Sequence, residues 1–146
     1  MKVICQEITS SADQNTSLAL RRRVFIEEQK VPPDREVDGL DAEAWHFAAK
    51  AGDRMIATCR VRLIDKTAKI ERVAVLREFR GQGVGNALMR FVMQTLTRTE
   101  SINLLKLSSQ TTALPFYEKM GFKKKGAEYM DAGIPHHDMT LAVGKK

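Results

Sequence analysis

Cysteine, proline and tryptophan are scarce in this 146-residue chain, numbering two, four and one, and the scarcity narrows what it can be. Cys5 and Cys59 both lie inside apolar, strand-like segments. Thiols so placed are expected as reduced core residues, which predicts a reducing, cytoplasmic setting and argues against a disulfide framework. No apolar run approaches the roughly 20 residues that cross a bilayer. Met1-Lys2-Val3-Ile4-Cys5 lacks the apolar core of a signal peptide, so no membrane partner is expected. There is no repeat, low-complexity tract or linker, and one domain over residues 1–146 is predicted. His136 and His137 are adjacent and in a strand would point to opposite faces, so no metal site is predicted. Acidic residues are fewer than basic ones, 18 against 24, giving a net charge of +6. That balance suits an anionic ligand, a nucleic acid or simple solubility, and does not choose among them.

What is present centres on the stretch from Lys69 to Leu96. It opens with a short β-branched run, Val73-Ala74-Val75, expected as a strand. Leu76 to Arg80 connects it to three glycines at alternate positions, Gly81, Gly83 and Gly85. A helix follows, with Val84, Ala87, Leu88, Phe91, Val92 and Leu96 on one face and Asn86, Arg90, Gln94 and Arg98 on the other. The first N–H groups of a helix lack internal partners and sit at the positive end of its dipole. Glycines let the preceding backbone bend so that successive amides converge on an anion. Arg80 at the mouth adds a cation.

Spelling separates the phosphate-binding motifs. A dinucleotide fingerprint would need glycine where Asn86 stands, and a P-loop would need G-K-[ST], which the chain lacks. Arg80-Gly81-Gln82-Gly83-Val84-Gly85 instead matches R/Q-x-x-G-x-G/A and resembles the signature of the GNAT superfamily of acetyl-CoA-dependent N-acetyltransferases. The other reading is a glycine-rich turn with no ligand.

Along the chain, Val3 to Ile8 reads as a strand. Ser10, Ser11 or Asp13 can cap a helix running to about Glu28, with Leu18, Leu20, Val24 and Phe25 as its core side. Val31-Pro32-Pro33-Asp34 stops it, and Arg35 to Asp41 forms an acidic loop. Two strands joined at Gly52-Asp53 cover Ala44 to Ala49 and Met55 to Ile64. In the second, Cys59, Val61 and Leu63 alternate with Thr58, Arg60 and Arg62, the pattern of a sheet buried on one face. Leu104 to Ser108 is a strand, and Ala113 to Met120 a short helix ended by Gly121. Phe122, Tyr129 to Met130, and Met139 to Val143 would finish the sheet as antiparallel edge pieces. The order β-α-β-β-β-α-β-α-β predicts an α/β (α+β) domain with a mixed, mostly antiparallel central sheet flanked by helices. It is not the alternation of a doubly wound domain.

Further stretches extend the resemblance. Phe116-Tyr117-Glu118-Lys119-Met120-Gly121-Phe122 resembles the F-Y-x-x-x-G-F segment of many GNAT members. Arg23 to Gln29 with Glu36 and Asp38, and Gly133-Ile134-Pro135-His136 with Met139, resemble the small ElaA-like branch. The resemblance implies the GNAT fold, with central strands that splay beside the cofactor, and direct attack of an amine on bound acetyl-CoA. It implies that the backbone of Val73, Ala74 and Val75 holds the pantetheine arm and polarises the thioester. It further places the pyrophosphate on Arg80, Gly81, Gln82, Gly83, Val84 and Gly85, and Phe116 and Tyr117 beside the cofactor. No enzyme nucleophile is needed, so neither cysteine is nominated.

Tyr117 is the expected general acid, since a phenol with pKa about 10 stays neutral yet can protonate a thiolate; its other reading is a tyrosine packed at a helix end. Glu71 is the candidate base, on the expectation that it shares a strand face with Val73 and Val75. Its other reading is a strand carboxylate paired with Lys69 or Arg72. His46 reads as a core or edge histidine. Glu28, Glu36 and Asp38, with Asp41, form an acidic group that could recognise a cationic amine, or a solvated loop. Arg21-Arg22-Arg23 splay around a helix and Lys123-Lys124-Lys125 read as a solvated strand start, so no nucleic-acid partner is expected. An acetyl-CoA sensor or scaffold without efficient transfer stays open as the alternative. The acceptor is expected to be a small-molecule or peptide amine, and a C-terminal edge strand could pair two subunits as a homodimer.

Overall fold

The structure, a computed structural model, describes residues 2–31 and 39–143. β1 (Val3–Ile8) leads into α1 (Ser11–Arg21), whose N-cap is Ser10: its hydroxyl accepts from the Asp13 amide at 3.1 Å. The predicted helix reaches Glu28, but not as one α-helix. From Arg22 to Glu28 it widens to π-type turns, and the Gln29 N–H donates to the carbonyl of Val24. After a 3₁₀ turn at Asp41–Glu43 come β2 (Trp45–Ala51), β3 (Arg54–Ile64) and β4 (Thr67–Val75). A second 3₁₀ turn, Arg77–Phe79, precedes α2 (Val84–Arg98). β5 (Leu104–Gln110), a 3₁₀ turn at Thr111–Ala113, α3 (Leu114–Glu118), β6 (Lys123–Asp131) and β7 (Ile134–Ala142) complete the order.

The strands form one seven-stranded sheet in the order β1-β2-β3-β4-β5-β7-β6. Every neighbouring pair is antiparallel except β4 and β5, which run parallel. α2 and α3 cover the back face, where Val84, Leu88, Val92 and Leu96 pack on Phe47, Cys59, Val61, Ile70 and Leu107. α1 and the π-type segment after it cover part of the front face, with Leu20 and Val24 against Ala48, Met55, Ala74 and Leu76.

Three expectations are corrected. β3 is buried on both faces: Thr58 lies under Ser17 of α1, and Arg60 is fully buried among carboxylates. The C-terminal segment is not an edge, because β7 sits between β5 and β6, and β6 forms the rim. The third concerns β4. Thr58 pairs with Ala74 and Arg60 with Glu71, so Arg72 and Val73 both face Cys59, and Arg72 takes a left-handed φ of 56°. This extra residue is a β-bulge. Ile70 before it and Val73 and Val75 after it pack toward the back core, whereas Glu71 faces the front. Glu71 therefore does not share a face with Val73 and Val75.

Candidate active site

The bulge marks the point where the sheet opens. β4 and β5 pair only from Thr67↔Leu104 to Ile70↔Leu107, while β5 stays paired with β7 as far as Gln110↔His136. Beyond Ile70 and Leu107 the two parallel strands form a fork, the splay that the family resemblance implies.

The glycine loop stands beside one prong. Gly81 and Gly83 have φ of 75° and 81°, and Gly83 is the N-cap of α2. The first main-chain bond of the helix runs from the Ala87 N–H to the Gly83 carbonyl, so the amides of Val84, Gly85 and Asn86 precede the ladder. No side chain caps this end. A Cβ on Gly85 would meet Phe116 Cζ at 3.4 Å and Val75 Cγ2 at 3.5 Å, so glycine there lets helix, strand and α3 close together. Val75, Gly85 and Phe116, predicted from separate segments, thus meet at one place.

Tyr117 follows in α3, buried and edge-on to Phe116 and Phe122. Burial pushes its phenol up, and the nearby Cys59 thiol adds to the rise. Tyr117 and Cys59 belong to the same back-face core, against which Val73 and Val75 also pack. Cys59 is itself raised by burial and stays a thiol; both cysteines are free.

Arg80 Nε donates to the Val75 carbonyl at 2.9 Å, and its two terminal nitrogens hold the Glu28 carboxylate, Nη2 at 2.9 Å. Residues predicted for the cofactor and for the acceptor are therefore paired with each other. The Arg80 hydrogen bond keeps the Glu28 carboxyl below its ordinary range. Glu36 and Asp38 lie outside the described residues. Asp41 binds Arg21 at 2.7 Å and Arg60 at 3.0 Å.

Glu71 accepts from Arg62 Nε at 2.6 Å and Arg60 Nε at 3.1 Å, with Lys69 Nζ at 3.4 Å. Burial alone would raise this carboxyl, but the Arg62 hydrogen bond and the charges of Arg60 and Lys69 outweigh it and hold it low. Such a carboxylate is a weak proton acceptor. His46 is buried, with Nε2 2.8 Å from the Asp41 carbonyl.

Polar residues not singled out from the sequence for chemistry stand on the front face of the β5–β7–β6 side of the fork. Gln110 Nε2 donates to Gln29 Oε1 at 2.9 Å, tying the end of the π-type segment to the second prong. Tyr129 of β6 hydrogen-bonds Ser108 of β5 and donates to Asp138 Oδ1 of β7 at 2.7 Å. The signal that could have found them is period-two spacing in β5 and β7, which puts Ser108, Gln110, His136 and Asp138 on one face. Among the described residues no group of three or more His, Cys, Asp or Glu could hold a metal. No described helix is long and apolar enough to cross a membrane.

A sheet that forks beside a glycine-capped helix is the acyl-CoA N-acyltransferase architecture. The chain belongs to the GNAT acetyltransferase family: the model of the acetyltransferase (GNAT) domain matches residues 11–143. It is an acyltransferase. The uncharacterized N-acetyltransferase YjcF of Bacillus subtilis is 36% identical over 121 residues, 82% of this chain and 86% of its own. The crystal structure of Escherichia coli ElaA aligns with a TM-score of 0.86 at 28% identity, covering 95% of this chain and 99% of that one. An acyl-CoA N-acyltransferase from Pseudomonas aeruginosa aligns at 0.83 with 29% identity, covering 95% and 97%.

Proposed function

We propose that this protein transfers the acetyl group of acetyl-CoA directly to a primary amine of a small molecule or peptide. The observation that carries the reading is the fork at Ile70/Leu107 lying next to the left-handed glycines that open α2. The amides around Gly81 to Gly85 suit a pyrophosphate at a helix mouth. Val73 to Val75, no longer paired with β5, offer main-chain groups to the pantetheine amides and the thioester carbonyl. Attack by the amine forms the C–N bond and expels the thiolate, which is reprotonated as CoA. Tyr117 is the proton donor on the back side: its raised pKa keeps it a neutral O–H that can hydrogen-bond the departing sulfur.

The test is calorimetric titration of acetyl-CoA into wild type and Gly83→Glu, which sets an anion where the pyrophosphate is assigned. Saturable binding to wild type and its loss in a folded variant is the expected result. Release of CoA with added amines should then fall about 10²-fold or more in Tyr117→Phe, the usual loss for a general acid. A folded wild type that does not bind acetyl-CoA overturns the reading.

A further inference from the structure

With Glu71 held as a carboxylate by three cations, the proton of the incoming ammonium needs another acceptor. We propose that His136 is the base that deprotonates the acceptor amine, working from the front opening of the fork. The inference rests on the acyl-transfer reading and adds to it a residue and a direction of approach.

Placement comes from register. Gln110 ends β5 three residues past the last β4–β5 pair, Ile70↔Leu107, and His136 of β7 is its cross-strand partner. His136 lies on the front face of β7, with Asp138 two residues along the same face. The imidazole thus stands on the front face of the β5–β7 side of the fork, one strand beyond β5 from the Val73–Val75 prong to which the thioester is assigned.

The tautomer comes from a hydrogen bond. His136 Nδ1 lies 2.7 Å from the carbonyl oxygen of Ile134. A carbonyl only accepts, so Nδ1 carries the proton and Nε2 of the neutral ring keeps its lone pair. The ring is half-buried and stacked on Tyr129, with centroids 6.0 Å apart and planes 22° apart, and Tyr129 is fixed in turn by Ser108 and Asp138. The imidazole therefore stands in a built wall.

The protons balance. R–NH₃⁺ gives one proton to Nε2, and the neutral amine attacks the thioester carbon. As the tetrahedral intermediate collapses, the C–S bond breaks, the nitrogen sheds its second proton and the thiolate acquires one. The imidazolium, with the Asp138 carboxylate on its own face, returns the first proton to water.

The experiment compares two probe acceptors at neutral pH. Ethylamine is an ammonium with a pKa of about 10, like a lysine side chain, and needs a base before attack. Hydroxylamine is largely neutral and does not. His136→Asn keeps an amide donor for the Ile134 carbonyl but has no basic nitrogen. The expected result is a loss of ethylamine transfer of about 10²-fold or more, with hydroxylamine transfer and the acetyl-CoA dissociation constant changed far less. Equal losses with both amines, or ethylamine transfer kept above a third of wild type, overturn the assignment while leaving acyl transfer in place. Wild-type transfer to hydroxylamine alone also overturns it, since no base is then at work. Transfer to neither, despite acetyl-CoA binding, removes the transfer reading and this one together. Nitrogen-15 shifts of wild-type His136 give a check independent of any variant: a neutral ring protonated at Nε2 rather than Nδ1 sinks the proposal.

Discussion

Glu71 keeps its charge inside the sheet because Arg60, Arg62 and Lys69 surround it, and Arg60 is in turn shared with Asp41. Arg60 is 0% exposed, so removing a carboxylate partner leaves part of a buried guanidinium uncompensated. Glu71→Gln is expected to cost about 3 kcal/mol, lowering the unfolding midpoint by roughly 6–12 °C for a chain of this size. The network also sets a pH dependence. The Glu71 and Asp41 carboxyls are both held below their ordinary range, each against the opposing effect of burial, by the cations around them. Groups lowered on folding add stability that is complete above their unfolded pKa, about 4 for such carboxyls, and is lost as pH falls through the folded value. Wild type should therefore lose stability as the medium is acidified below about pH 4, and Glu71→Gln should lose less over the same interval. Thermal melts of both proteins across that range check it; parallel curves would show that Glu71 carries no such linkage.

The bulge in β4 is a property of an element, and the opening of the sheet follows from it. One extra residue turns Val73 and Val75 toward the back core, bends the strand and ends the ladder with β5. Deleting Arg72 restores regular pairing with β3 without changing the face of any other residue. β4 should then continue along β5 past Ile70↔Leu107, closing the fork. The deletion protein is expected to stay folded and lose acetyl-CoA binding, with slowed amide exchange at Ser108 to Gln110; retained binding would separate the bulge from the fork. The same element shows what could be read in advance. The glycine spacing and the 84–96 apolar face needed only local pattern, and α2 forms where they place it, as does the F-Y-x-x-x-G-F turn. The bulge was hidden because an arginine, not a glycine, takes its left-handed position. The burial of Arg60 was hidden because alternation shows which residues share a face but not what covers it. The Glu28–Arg80 pair and the insertion of β7 beside β5 depend on contacts between distant segments, which no period in the chain records.

At the scale of the whole molecule the sheet is two unequal parts, β1 to β4 and β5 to β7, whose strands meet along just four parallel residue pairs. α2 and α3 bridge the back, but the front is joined beyond α1 by polar links such as Gln29–Gln110. A ligand held as proposed, by Val73–Val75 and the glycine loop on the β4 prong and by α3 after β5 on the other, would span this seam and bind only the folded chain. At a free concentration 100 times its dissociation constant such a ligand adds about 2.7 kcal/mol. For a chain of this length that is a rise in unfolding midpoint of roughly 5–11 °C. The excess positive charge, +6 overall, should favour a phosphate-bearing ligand and make its affinity fall with added salt. Thermal melts with and without acetyl-CoA at two salt concentrations read both effects, and Gly83→Glu should show no rise at either. A midpoint raised equally in that variant would place the stabilising contact away from the glycine loop. A midpoint unmoved in wild type would mean that the fork is not where acetyl-CoA binds.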